Sequence, residues 1–140
     1  MDAMNLPLNV KLDHVGVVVA NIEETALAYA EAFGAEPTGP IVFDPTQKVN
    51  IQFVRLNDGT RIELIQPVGE DSPVRRTLQK GGGPVHLCYE VDDIEAAVEV
   101  VVASHAICVC PPVPAPAFGG RRVAFVFKKH VGLVEFVEAP

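Results

Sequence analysis

An internal repeat restricts the fold of this 140-residue chain more than any other feature. HVGVVVANIE, which begins at His14, and HLCYEVDDIE, which begins at His86, share His, Val, Ile and Glu at equivalent positions. The same offset of 72 residues places IQFV over VAFV and RIELI over LVEFV. Because three stretches match in one ungapped register, we interpret the chain as two copies of one supersecondary unit.

The first copy has the pattern of a strand, a helix and three further strands. Asn21, followed three residues later by a glutamate, is typical of a helix N-terminus, and Gly34 is a helix stop. Apolar β-branched runs separated by turn residues predict the strands. The predicted elements are strands at 11–20, 40–43, 49–56 and 61–66 and a helix from Asn21 to Gly34.

The second copy repeats this order after a predicted linker helix at about 72–80, with Pro73 at its first position. Asp92 or Asp93 caps the second helix. We predict strands at 85–91, 106–110, 122–127 and 132–138, a helix to about Ser104 and a Pro/Gly-rich loop from Pro111 to Gly120. The fold class is therefore α+β. A single domain over 1–140 would contain βαβββ modules at about 11–67 and 84–138.

Composition excludes several classes of protein. The net charge of −7 argues against a nucleic-acid partner, which would favour a basic surface. The apolar content of 49% indicates a folded chain, but no apolar stretch is long enough to span a bilayer. The N-terminus lacks the pattern of a secretion signal. We expect a cytoplasmic protein with no membrane partner.

Three cysteines and two of the histidines fall outside the repeated pattern. Cys88, Cys108 and Cys110 lack zinc-type spacing, and we interpret them as thiols of a reducing compartment. His105 and His130 have no histidine counterpart at the offset, so we expect them on the surface.

Four residues in register predict a metal site: His14, Glu63, His86 and Glu135. Each glutamate lies inside an apolar strand, where a buried carboxylate requires a partner or a metal. If the copies pack about a pseudo-two-fold axis, all four side chains can point into one concavity. Two imidazoles and two carboxylates suit one borderline divalent cation such as Co, Ni, Zn or Mn, with positions left for substrate.

Four stretches resemble the vicinal oxygen chelate superfamily and, within it, the methylmalonyl-CoA epimerases: LDHVGVVVANIEE, TRIELIQPVGEDSPV, GGGPVHLCYEVDDIEAAV and FGGRRVAFV with GLVEFVE. The resemblance covers most of 12–138. It implies two βαβββ modules that form an incomplete barrel-like mixed sheet around a central metal site, commonly in a homodimer. It also places His14, Glu63, His86 and Glu135 at the metal positions of the family.

The resemblance implies an enzyme that removes the α-proton of a chelated carbonyl or thioester substrate, such as an acyl-CoA. Glu135 falls on the position of the general base, and Glu63 is its mirror in the repeat. Two bases on opposite faces of the substrate carbon would invert it, whereas one base would isomerise the substrate.

Substrate contacts are expected from Asn50 and Gln52, the polar residues of the strand at 49–56, and from Arg122. The epimerase pattern includes a second glutamate near this strand, but here the nearest acid is Asp44. Cations could bind the phosphates of a CoA partner. Alternatively, the cations at 121, 122, 128 and 129 belong to a solvated hairpin.

Three other activities remain open to such a sequence. Glyoxalase I-like (lactoylglutathione lyase) isomerisation of a thiol adduct would use the same four ligands with a different pocket. A metal-free resistance-type protein would only bind a small molecule, and an iron oxygenase would use two histidines and one carboxylate. The complete set of two histidines and two glutamates argues against the last two.

Overall fold

The computed structural model describes residues 8–140, and this part of the chain divides into two compact units. The first unit is His14–Val85, and the second is His86–Pro140 together with the described residues before His14. Each unit contains a mixed, open sheet and few helices, which confirms the predicted α+β class. No helix of this described part is long and apolar enough to cross a membrane.

The first unit has the predicted order of elements, with one short strand added. Its elements are β1 (Lys11–Val18, with His14–Val18 in this unit), α1 (Ile22–Phe33), β2 (Glu36–Pro37), β3 (Val42–Asp44), β4 (Val49–Arg55), β5 (Arg61–Pro67) and α2 (Arg75–Gln79). The sheet order is β2-β4-β5-β1, with β1 parallel to β5 and β3 antiparallel to β4.

The predicted helix signals of the first unit are confirmed at α1. The Oδ1 atom of Asn21 accepts a hydrogen bond from the backbone N–H of Glu24 at 2.9 Å, and Gly34 ends the helix with φ of 66°. α1 packs Ile22 onto the sheet, where it joins a core with Val54 and Leu64. One face of this sheet is therefore covered by the helix.

The second unit repeats this construction with β6 (Gly83–Val91, with His86–Val91 in this unit), α3 (Ile94–Ala103), β7 (Ile107–Pro114), β8 (Arg122–Lys128) and β9 (Gly132–Glu138). The strand order is β6-β9-β8-β7, and β6 is parallel to β9. Asp93 caps α3, because its Oδ1 accepts from the N–H of Ala96 at 3.0 Å. Ile94 of α3 packs in a core with Phe136.

Two sequence predictions were wrong in their boundaries. β7 continues through Pro111 and Pro112, where we predicted a loop. Prolines are tolerated there because β7 is the outer strand of its unit's sheet, and its register with β8 shifts between Cys110 and Val113. The linker helix begins at Arg75 rather than with a proline at its first position.

Candidate metal centre

The first unit brings His14 and Glu63 together. β1 is parallel to β5 with Gly16 opposite Glu63, so His14, two residues earlier, lies on the same face of the sheet as the glutamate. The Nε2 atom of His14 is 3.4 Å from Oε1 of Glu63, and both side chains are buried. This face is the one opposite α1, since Leu64, the next residue, belongs to the core of that helix.

The second unit repeats this pair with His86 and Glu135. β6 is parallel to β9 with Cys88 opposite Glu135, which again places the histidine and the glutamate on one face. Nε2 of His86 lies 3.0 Å from Oε1 of Glu135, and both side chains are buried. Cys88 is fully buried and takes the position that Gly16 has in the first unit.

A phenylalanine packs edge-on against each of these histidines. Phe53 of β4 is directly opposite Glu63, and its ring centroid lies 5.1 Å from that of His14 with planes at 79°. Phe125 of β8 is opposite Glu135, and it meets His86 at 5.4 Å and 88°. Both units thus contain the same arrangement of histidine, glutamate and phenylalanine.

The chemistry of each pair fits a metal ligand set. A carboxylate in apolar surroundings is destabilised unless a hydrogen-bond donor or a positive charge lies next to it. Glu63 and Glu135 each have an imidazole nitrogen at that place. Imidazole nitrogen and carboxylate oxygen are ligands that borderline divalent cations accept. Each unit therefore contains one imidazole and one carboxylate that are suited to bind such a cation.

Asn50 and Gln52 do not lie on the face of the first histidine–glutamate pair. Gln52 is opposite Leu64, which belongs to the core under α1, so its side chain projects from the face that α1 covers. Asn50, two residues before Gln52 on β4, projects from the same face. The side-chain nitrogen of Gln52 donates to the carbonyl oxygen of Gly39 at 3.0 Å. A substrate contact by these two residues at the His14 pair is not supported, because alternation along the strand turns them away from it.

Asp44, the acid nearest to β4 in the sequence, has a structural role in a turn. It is buried, and its Oδ1 accepts from the N–H groups of Thr46 at 2.9 Å and Gln47 at 3.1 Å. It pairs with Val49 at the end of β4 that is remote from Phe53. The burial of the Asp44 carboxylate is therefore explained by its hydrogen bonds within the turn.

Arg122 is bound by two carboxylates of its own unit. Its Nη2 donates to Oε1 of Glu138 at 2.8 Å, and its Nη1 forms an ion pair with Glu95. Hydrogen bonds to Glu138 and Glu95 raise the pKa of Arg122, and in return Arg122 lowers the pKa of Glu138. A substrate anion at Arg122 would compete with both carboxylates, so that contact stays a prediction.

Sequence reasoning assigned no role to Phe53, Phe125 or Arg61. The two phenylalanines coincide at the offset of 72, which was the available signal for them. The guanidinium carbon of Arg61 lies 4.2 Å from the centroid of Phe53. The sequence feature that could have indicated Arg61 was its position two residues before Glu63 on the same strand.

The sequence matches the family model of the glyoxalase/bleomycin resistance protein/dioxygenase superfamily over residues 13–125. The chain therefore belongs to this superfamily. It is 36% identical over 132 residues to the mitochondrial methylmalonyl-CoA epimerase of Dictyostelium discoideum, covering 91% of this chain and 78% of the relative. The family match and this sequence identity place the chain, within the superfamily, beside the methylmalonyl-CoA epimerases, as the resemblance predicted.

A further curated relative agrees with this assignment, and a solved structure shares the fold. The ethylmalonyl-CoA/methylmalonyl-CoA epimerase of Cereibacter sphaeroides is 36% identical over 121 residues, covering 85% of this chain and 89% of the relative. The crystal structure of a hypothetical protein from Bacillus halodurans superposes with a TM-score of 0.83 at 30% identity, covering 94% of this chain and 96% of the other.

Proposed function

We propose that this chain is a metal-dependent epimerase that removes and returns the α-proton of a methylmalonyl-type CoA thioester. The observation that carries the proposal is the repeated buried pair of histidine and glutamate, at 3.4 Å in the first unit and 3.0 Å in the second. The sequence identity of 36% to epimerases of two organisms supports the substrate class.

Four residues would hold one divalent cation: His14, Glu63, His86 and Glu135. The proposal is supported by the matched donors of the two units and by the resemblance, which assigns all four to one ion. When bound, the cation stabilises the negative charge that develops on the thioester carbonyl oxygen during proton removal. The identity of the metal, among Co, Ni, Zn and Mn, is left to direct analysis.

Glu135 would remove the α-proton, and Glu63 would act from the other face of the substrate carbon. Removal of the proton by one glutamate, as carboxylate, and donation of a proton by the other, in its protonated form, inverts the centre, whereas donation by the first glutamate restores it. Glu63 is preferred as the second catalytic carboxylate for two reasons. β4 contains no acidic residue, and the carboxylate of Asp44 accepts hydrogen bonds within a turn. Burial shields both carboxylates from water, which favours protonation of the carbanion by a glutamate rather than directly by solvent.

The proposal is tested by metal analysis followed by isotope exchange. We expect about one divalent ion per chain, and incorporation of deuterium at the α-carbon of methylmalonyl-CoA in heavy water with inversion of the centre. Turnover of a glutathione hemithioacetal without this exchange would instead support a glyoxalase I-like isomerase. Binding of small molecules with neither metal nor turnover would support the resistance-type alternative.

Histidine variants test whether both pairs serve the same ion. We expect His14→Gln and His86→Gln each to lose the metal, although they lie in different units. His105→Asn and His130→Asn are the matched controls, because both histidines are exposed, and asparagine tolerates their positive φ angles of 76° and 71°. Retention of one full equivalent of metal in either glutamine variant would contradict a shared ion.

Three other sequence predictions belong to this proposal. A single domain over 1–140 should unfold in one cooperative transition. The homodimer implied by the resemblance should have twice the chain mass of 15.0 kDa in light scattering. The cytoplasmic location should appear as recovery of the chain in the cytoplasmic fraction of fractionated cells.

A further inference from the structure

A cavity of about 490 Å³ lies in the first unit, between the last turn of α1 and the turn that joins β4 to β5. The described residues that line it are Tyr29, Phe33, Leu56, Asn57, Asp58 and Ile62. Ile62 belongs to the core under α1, and Tyr29 and Leu56 pack against that core. The cavity is therefore on the helix side of the sheet, whereas the first histidine–glutamate pair lies on the opposite face.

Two aromatic rings of α1 contribute to the wall of this cavity. Tyr29 and Phe33 are one helical turn apart, with ring centroids separated by 5.8 Å and planes inclined at 51°. Tyr29 is half-buried, but Phe33 is 63% exposed. The face of an aromatic ring attracts a cation within about 6 Å of its centroid. One bound cation can therefore lie within reach of both rings.

The charges around the cavity also favour a cation. Asp58 is the one charged side chain among the described residues of the lining. A hydrogen bond from the backbone N–H of Thr60, at 3.0 Å, lowers the pKa of Asp58, so this carboxylate is ionised at neutral pH. α1 ends beside the cavity, and the last turn of this fully described helix contains no basic residue that would offset the partial negative charge of its C-terminus.

An adjoining cavity of about 460 Å³ has a different charge. It is lined by Arg55 and Glu36, which are directly opposite each other across the β2–β4 pair. Opposite charges in such a pair attract each other, and the guanidinium of Arg55 would repel a cationic ligand. An organic cation is therefore expected in the aromatic cavity and not in the adjoining one.

We propose that the aromatic cavity is a binding site for a small quaternary ammonium compound. The ammonium group would lie against the rings of Tyr29 and Phe33, with the carboxylate of Asp58 as its counter-charge. The methyl groups of such a ligand suit an apolar wall, and aromatic rings are the usual partners of a quaternary ammonium. The cavity volume is in the range of small-molecule sites. This inference does not depend on the proposed function, because no lining residue belongs to the metal centre.

The test compares choline with neohexanol, in which a carbon atom replaces the charged nitrogen. Both are titrated into the full-length, metal-loaded protein, and NMR shifts give the dissociation constants. We expect saturable shifts at Tyr29 and Phe33 with choline, and binding of neohexanol that is weaker by about fivefold or more. Phe33→Leu should weaken choline binding by about 2–30-fold, and Asp58→Asn by about 2–5-fold, with smaller effects on neohexanol.

Two control variants separate direct contact from general effects. Glu31→Gln removes the same charge from an exposed position on α1 that does not line the cavity, so it should leave choline binding nearly unchanged. Phe33→Tyr keeps an aromatic ring and should retain the affinity of the wild-type protein. Asparagine at position 58 can still accept the hydrogen bond from Thr60, so the turn should be preserved.

Three results would overturn the site. They are equal affinities of the wild-type protein for choline and neohexanol, no saturable shifts at Tyr29 and Phe33, and equal weakening of choline binding by Asp58→Asn and Glu31→Gln. The first two need only the wild-type protein, so the proposal can be refuted even if a variant does not fold.

Discussion

The ring of Phe53 meets the ring of His14 edge-on, with centroids 5.1 Å apart and planes at 79°. Phe125 has the same relationship to His86 in the second unit. Edge-to-face contact fixes the plane of an imidazole without using either of its nitrogens. The phenylalanines therefore orient the histidines and leave the Nε2 atoms directed at the glutamates.

Removal of one aromatic ring should loosen metal binding. We expect Phe125→Leu to weaken the affinity for a divalent ion by about tenfold, in the range found for groups that orient ligating histidines. The measurement is a competition titration against a coloured chelator. Phe127→Leu is the control, because Phe127 is exposed farther along the same strand. Equal affinities of the two variants would show that His86 needs no such support.

The two glutamates should differ in their effects on the reaction. We expect Glu135→Gln to lower the rate of α-proton exchange by roughly 10²–10⁴-fold, because the amide cannot accept the proton. Glu63→Gln should keep more exchange than inversion, since Glu135 would exchange its proton with heavy water and deliver a deuteron to the side from which the proton left. Mass spectrometry measures exchange, and circular dichroism of the product measures inversion.

Metal content must be measured in the same two variants, because both glutamates are proposed ligands. A Glu135→Gln protein with full metal content and undiminished exchange would refute the assignment of the base. Equal loss of exchange and inversion in metal-loaded Glu63→Gln would refute its role on the second face.

The N-cap of α3 should contribute measurably to folding stability. Asp93→Ala removes the acceptor for the N–H of Ala96, and we expect a loss of about 1 kcal/mol in the free energy of unfolding. Asp92→Ala changes an exposed neighbour that does not cap the helix, so its effect should be much smaller. Urea denaturation measures both values. Equal losses would mean that charge near the helix end, rather than the cap, is responsible.

Acid should weaken the contacts between Arg122 and Glu138. Hydrogen bonds from Arg122 lower the pKa of Glu138 below its ordinary value of 4.5. The stabilisation is therefore present above that ordinary value and is lost as the pH falls through the lowered pKa. We expect Glu138→Gln to reduce the Tm near neutral pH, and this difference from wild type should shrink below about pH 4.

Glu99→Gln provides the comparison for this pH series, because Glu99 is exposed on α3. Its Tm should follow the wild-type curve at each pH. A difference between Glu138→Gln and wild type that stays constant into acid would show that the ion pair does not cause it.

The sequence predicted the features that depend on local signals or on the repeat. Asn21 and Gly34 bound α1 as expected, because capping is decided by a few neighbouring residues. The offset also predicted that His14 and His86 are equivalent. Each of them contacts the glutamate of its own unit, as this equivalence requires.

Features that depend on strand register could not be predicted. Asn50 and Gln52 were chosen for their polarity, but the pairing of Phe53 with Glu63 turns them to the opposite face. Likewise, the position of the Arg61 guanidinium over the Phe53 ring depends on a side-chain conformation that no local motif specifies. The extension of β7 through Pro111 depends on its place at the outside of the sheet.

The prolines of β7 have a consequence for the chain in crowded solution. The unpaired edge of an outer strand can form hydrogen bonds, through its N–H groups, with a strand of another molecule. Pro111, Pro112 and Pro114 have no N–H to offer, so this half of β7 resists intermolecular strand addition. The preceding half, with Ile107 and Val109 exposed, has no proline and so keeps the N–H groups that such an addition requires.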